Sequence, residues 1–131
     1  MKFIICLFFL VFLQISALGQ NNTKWFLLAN NTKNEPYFID KSSYKKNKKK
    51  NFEIWTKKVF QSGEFDLALF EVNCSNQKQQ VLQFIRYNPD GSILSNSEGD
   101  FNDWLSPAPG SIGFLQLKYV CNPKNFLKNK K

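Results

Sequence analysis

The sequence predicts an α+β domain: an antiparallel β-sheet of about five to six strands, a C-terminal helix packed on it, and one disulfide. Three observations carry that expectation. Apolar and polar residues alternate with period two through most of the stretch from Asn51 to Tyr87, short polar linkers separate the alternating runs, and one segment after Ser111 admits helical spacing. Two cysteines, Cys74 and Cys121, bracket the end of the alternating region and the end of that last segment.

The chain begins with what reads as a secretory signal peptide over residues 1–19. Lys2 supplies a positive start, Phe3 to Leu13 is an apolar run, and Ala17-Leu18-Gly19 offers the small residues that a signal peptidase accepts before Gln20. A membrane anchor is the competing reading, but about a dozen apolar residues fall short of the roughly 20 that span a bilayer. Once the signal is removed, no transmembrane segment is expected and the protein is exported: periplasmic, on the outer-membrane surface or secreted. The remaining 112 residues suffice for a single domain, expected over residues 20–123, followed by a basic tail over 124–131.

Within the domain, Lys24 to Ala29 and Pro36 to Ile39 are short apolar runs joined by a polar turn. From Asn51 to Phe60, residues Phe52, Ile54, Thr56, Lys58 and Phe60 share one face while Glu53, Trp55, Lys57 and Val59 share the other. Phe65 to Cys74 alternates likewise, and Gln77 to Tyr87, with Val81, Gln83, Ile85 and Tyr87 opposite Leu82, Phe84 and Arg86, is expected to be covered on both faces. Asn88-Pro89-Asp90-Gly91 has proline and glycine placed for a reverse turn, after which Ile93-Leu94 makes a short returning strand. The polar stretch from Asn96, and then Ser106-Pro107-Ala108-Pro109-Gly110, interrupt regular structure. Ser111 is placed to cap a helix running to Cys121, with Ile112, Leu115, Tyr119 and Gln116 on its buried face. Gly113 weakens that helix by about 1 kcal/mol relative to alanine, and a strand is the alternative. Trp25, Trp55 and Trp104 are each large enough to anchor the core, with ligand contact as the other reading. Asp40 and Asp90 read as turn residues that accept from nearby backbone N–H groups.

Signal removal takes Cys6 with it. An even pair in a small exported domain is most simply a disulfide, against the alternative of two free buried thiols. The bridge would staple the helix end to the fourth of the strands just described, at on the order of 4 kcal/mol in the chain-entropy model.

Charge is the next bound. Of 18 Lys plus Arg, Lys2 leaves with the signal, so 17 face 10 Asp plus Glu. The excess concentrates in Lys45, Lys46, Lys48, Lys49 and Lys50 and in the tail with Lys124, Lys128, Lys130 and Lys131. Clustered like charges repel and stay hydrated, so both segments are expected as solvated loop or tail. They act either as solubility devices or as docking patches for an anionic surface or polysaccharide. Nucleic acid is not expected as a partner, since no helix-turn-helix, zinc spacing or aromatic RNA-binding signature accompanies the charge.

Catalysis has little to stand on. The chain has no histidine, so it lacks the usual general base near neutral pH and the commonest metal ligand. A disulfide would remove both cysteine nucleophiles. Glu98, Asp100 and Asp103 share a polar loop, but their spacing differs from a calcium-binding EF-hand loop. No cofactor is expected, and the protein is expected not to be an enzyme.

Trp25, Tyr37-Phe38-Ile39-Asp40, Ile54-Trp55-Thr56-Lys57, Phe70-Glu71-Val72-Asn73-Cys74, Tyr87-Asn88-Pro89-Asp90-Gly91, Trp104 and Pro109-Gly110-Ser111 before Cys121 follow one another in an order that resembles the surface-adhesin protein E-like family of bacterial exported domains. The resemblance covers nearly all of Trp25 to Cys121. It implies an antiparallel sheet of about six strands with a packed helix, an envelope location, and binding to extracellular-matrix proteins and plasminogen. The chain departs from the pattern in having no lipid-anchor cysteine after its signal and in its basic loop at Lys45 to Lys50. The expected function is a non-catalytic, adhesin-like binding module that docks anionic surfaces or matrix proteins through its lysines, Lys130 and Lys131 included. A periplasmic accessory or inhibitor protein of the cell envelope is the alternative.

Overall fold

Short turns connect consecutive strands, so sequence neighbours become neighbours in space and the chain zips into one antiparallel sheet. The computed structural model describes residues 24–98 and 103–127; the signal segment 1–19, Asp100, and the tail lysines Lys128, Lys130 and Lys131 lie outside the described residues. Strands β1 (Trp25–Asn30), β2 (Pro36–Asp40), β3 (Lys45–Lys46), β4 (Phe52–Val59), β5 (Phe65–Asn73), β6 (Lys78–Tyr87) and β7 (Ile93–Glu98) precede helix α1 (Ile112–Val120). The order across the sheet is β1-β2-β4-β5-β6-β7, and β3 also pairs with β4. The α+β expectation holds, with β3 as an added strand.

Both β2 and β3 run along β4: Tyr37 lies opposite Lys58, and Lys45 opposite Glu53. A 3-10 turn over Lys41–Ser43 separates them, capped by Asp40, whose Oδ1 accepts from Ser42 N at 3.0 Å. The Asp90 turn is built the same way, with Oδ1 accepting from Ser92 N at 2.9 Å and Gly91 at φ +86°, a conformation that favours glycine. Strand β7 runs to Glu98, further than Ile93-Leu94, because Asn96 and Ser97 complete a ladder with Ile85 and Phe84. On an exposed edge strand the backbone pairing decides, and polar side chains face water without penalty.

The alternation in β4 resolves as expected, with Ile54 and Thr56 buried toward the helix. The core is Ile39, Ile54, Val72, Leu117 and Val120, with Leu28, Tyr44, Phe52 and Phe70 packed around it. None of the three tryptophans belongs to it: Trp25, Trp55 and Trp104 are all partly exposed. Trp55 alternates with the buried Ile54 and Thr56 and so falls on the face away from the helix.

Helix α1 starts as expected, Ser111 Oγ accepting from Phe114 N at 3.1 Å. Its buried face differs. Gln116, Leu117 and Val120 point inward, whereas Leu115 is 43% exposed. Gly113 explains the rotation: a Cβ there would stand 3.0 Å from Gln79 Nε2 and 3.3 Å from Pro107 Cβ, so glycine lets the helix lie close to β6 on its Gly113–Gln116–Val120 side. The fully buried Gln116 is satisfied, accepting from the Tyr37 hydroxyl at 3.0 Å and donating to Gln79 Oε1 at 3.2 Å. Burial holds the Tyr37 phenol above its ordinary pKa, which keeps it a donor.

Cys74 follows β5 and Cys121 caps α1, and the two are bridged with Cα atoms 5.5 Å apart. Just beyond, Pro123–Phe126 closes a 3-10 turn that lays Phe126 on Tyr44, ring centroids 3.6 Å apart. Packing thus continues into the segment where the basic tail was expected.

Replacing both bridged cysteines with serine is expected to lower the unfolding free energy by roughly 4 kcal/mol. Ile54→Ala should cost about 2 to 5 kcal/mol and Trp55→Ala distinctly less, because only Ile54 leaves a closed cavity. Urea denaturation of the three variants beside the parent checks that order.

Candidate functional site

Five lysines within six residues would be expected to keep a loop loose, and the structure shows how this one is held. Lys45 and Lys46 pair with β4, and residues 47–51 close a tight turn: Asn47 N donates to Asn51 O at 2.8 Å and Lys50 N to Asn47 O at 3.1 Å. The Asn47 side chain reinforces it, its Oδ1 accepting from Lys49 N at 3.0 Å and Asn51 N at 3.1 Å. Lys50 takes a φ of +65° to complete the reversal. Lys45, Lys46, Lys48, Lys49 and Lys50 all remain exposed on this hairpin.

The base of the hairpin is anchored by a buried carboxylate, Glu71 of β5, which is only 3% exposed. Asn47 Nδ2 donates to its Oε1 at 2.6 Å, Asn51 Nδ2 to the same oxygen at 2.9 Å, and Gln80 Nε2 of β6 to Oε2 at 2.6 Å. Burial pulls the Glu71 carboxyl upward, but these donors, Asn51 foremost, together with the charge of Lys49, outweigh it and hold the group below its ordinary pKa. The carboxylate is thus ionised at neutral pH and fixes both flanks of the lysine turn to the central strands.

The lysines divide by environment. Lys45 Nζ lies 2.8 Å from Glu53 Oε2, an exposed pair worth less than about 1 kcal/mol. Lys46 Nζ stands 5.8 Å from the Phe52 ring centroid. Lys48, Lys49 and Lys50 form no ion pair among the described residues, so their ammonium groups are available to an external anion. Lys130 and Lys131, the other expected partner-binding residues, are outside the described residues. Cys74 and Cys121 lie together as the bridge and not in the hairpin.

On the helix side of the sheet, Asp66 receives Arg86 Nε at 2.7 Å and Nη2 at 2.9 Å. A cleft of ≈ 510 Å³ beside the bridge is lined by Ser75, Asn76, Gln77, Phe114 and Leu117 and carries no charged side chain. Glu71, Asn47 and Asn51 were not legible as a unit, since 20 and 24 residues separate the partners. Asparagine on both sides of a lysine run was the one available signal.

Among the described residues, one antiparallel sheet, one α-helix, one disulfide and a cationic hairpin make up a small α+β domain. The surface-adhesin protein E family matches the chain over residues 25–122, and the protein belongs to that family. It is an adhesin-like surface protein. No curated protein and no solved structure matches the chain.

The depressed Glu71 pKa has a definite sign: its contribution to stability is present above the ordinary glutamate value of about 4.3 and is lost as pH falls through the lower folded-state value. Glu35 and Asp90, also held low, by the hydrogen bonds of Asn31 and Ser92 respectively, titrate with the same sign. The expected outcome is therefore a difference: Glu71→Gln flattens the acid limb of stability against pH relative to the parent, read by urea denaturation at stepped pH.

Proposed function

We propose that this protein is an exported, non-catalytic adhesin-like module that docks anionic surfaces through the Lys45–Lys50 hairpin. The observation that carries the reading is that the hairpin is built and not merely tolerated: its turn is closed by Asn47 and tied through Glu71 to β5 and β6, while its cationic tips stay in water. Holding several ammonium groups on a fixed backbone lowers the ordering cost of meeting a repeating anion. Lysine is a donor without acceptor capacity, suited to sulfate, carboxylate and phosphate alike. The partner class is an acidic polysaccharide or an acidic face of a matrix protein.

The chemistry is one of binding. Lysines at this exposure supply Coulomb attraction and raise association rates, and no general base is placed beside them. Lys130 and Lys131 would add a second route, a terminal lysine entering the lysine-binding pocket of a host protein such as plasminogen.

Replacing Lys45, Lys46, Lys48, Lys49 and Lys50 with glutamine should leave the melting temperature nearly unchanged and reduce retention on immobilised heparin. Parent retention should fall steeply with salt, because exposed charges are screened over about 8 Å at physiological ionic strength. Equal retention of parent and variant across the salt series refutes docking by the hairpin.

A further inference from the structure

Antiparallel sheets that face water on one side carry polar residues there. Here that side carries Glu53, Lys57 and Gln83, yet a continuous band across its middle is apolar. Residues directly opposite in an antiparallel ladder share a face, so the register defines a line across the side away from α1: Leu27 opposite Phe38, Phe38 opposite Lys57, Lys57 opposite Leu67, and Leu67 opposite Ile85. On one side of that line Trp55 lies opposite Leu69; on the other, Val59 lies opposite Phe65 and Phe65 opposite Tyr87, the last two rings stacked at 4.7 Å. No described element covers these residues, so β6, expected to be covered on both faces, is covered on the helix side alone among the described residues. Leu27 is 49% exposed, and most of the others are partly so. An apolar surface of this continuity on a small domain marks an interaction site.

Lys57 stands at the centre of it. Its Nζ lies 4.6 Å from the Phe65 ring centroid and 5.9 Å from that of Trp25. The ion pairs among the described residues belong to Lys24, Lys45, Lys58 and Arg86, and none to Lys57. A half-buried cation ringed by aromatic and aliphatic side chains has given up hydration without gaining a counter-charge.

We propose that the uncovered face of the sheet, centred on Lys57, is a docking surface for a protein that presents a carboxylate ringed by apolar side chains. Charge complementarity selects that occupant. A second copy of this chain would bring another cation to the centre, because the carboxylates of this face are engaged: Asp40 with Lys24 at 2.8 Å, Glu53 with Lys45, Glu71 with three amides, and Glu98, on the edge strand, with Gln83 Nε2 at 2.9 Å. A glycan would bury its hydroxyls against leucine, isoleucine and valine that offer no hydrogen bond. A bilayer deep enough to take the leucines would draw the central ammonium toward hydrocarbon with them, where an unpaired charge is strongly disfavoured. A protein surface meets both demands at once: apolar contact around the ring and a charge-assisted hydrogen bond in the middle.

The test uses the exported protein and, as probe, a cyclic β-hairpin peptide with one glutamate among leucine and phenylalanine on a single face, beside its glutamine and lysine counterparts. Indole N–H resonances report the site: Trp25 and Trp55 belong to the face, and Trp104 serves as the internal control. The glutamate peptide should shift Trp25 and Trp55 with an affinity at least about tenfold above that of the glutamine peptide, the margin a close interfacial charge pair gives. Lys57→Gln should erase the margin, Lys57→Glu should transfer the preference to the lysine peptide, and the five-lysine hairpin variant should bind as the parent does. Equal affinity of the parent for the glutamate and glutamine peptides overturns the proposal. So does a shift of the same indoles by heparin or phosphatidylglycerol vesicles in place of the peptide, or sedimentation showing a dimer that buries them.

Discussion

One nine-residue helix must serve a sheet six strands wide, and most features of the molecule follow from that mismatch. At 1.5 Å per residue α1 is about 14 Å long, whereas six strands at about 4.8 Å spacing span roughly 24 Å. The helix therefore closes only a small core, Ile39, Ile54 and Val72 below Leu117 and Val120. A domain with so few fully buried side chains gains proportionally more from a cross-link than a larger one would. The Cys74–Cys121 bridge acts where the helix leaves the sheet, the point at which a short helix would otherwise fray. Gly113 serves the same end by letting the helix approach β6 closely.

Buried polar contacts then set the register that so small an apolar core leaves underdetermined. On the helix side, Tyr37, Gln116 and Gln79 link β2, α1 and β6. On the opposite side, Glu71 gathers Asn47, Asn51 and Gln80. A slip by one residue would strand these groups without partners, at about 1 to 3 kcal/mol each and more for the carboxylate. The Glu71 cluster also ties the lysine turn to the centre of the sheet, so the order of the hairpin rests on a residue that never reaches the surface.

Much of this was legible in the sequence because it is local. Period-two alternation placed β4, β5 and β6, Pro89 and Gly91 marked the turn from β6 to β7, Ser111 announced the helix, and the two cysteines of an exported chain indicated the bridge. What escaped depends on contacts between distant segments. The helix turns Leu117 and Val120 inward, and not Leu115, because of a close approach at Gly113 that no helical periodicity reveals. Trp55 alternates correctly with Ile54, yet its size suggested a core role when no described element covers its face. The lysine run was visible from composition alone. Lys57 was not, since a lysine in an alternating strand reads as the solvated side until the neighbouring strands prove to be apolar there too.

Two kinds of cation are thus present in one small domain, and their physics differs. Lysines on the hairpin are exposed and screened by salt, so in the proposed docking they would act on encounter, raising association rates and letting go readily. Lys57 is partly desolvated and held against aromatic rings, so an anion that reaches it would be screened less and released more slowly. Adhesion under flow or dilution needs both capture and retention. A sheet side that no described element covers offers the proposed face a place for the second, which a helical layer on that side would have buried.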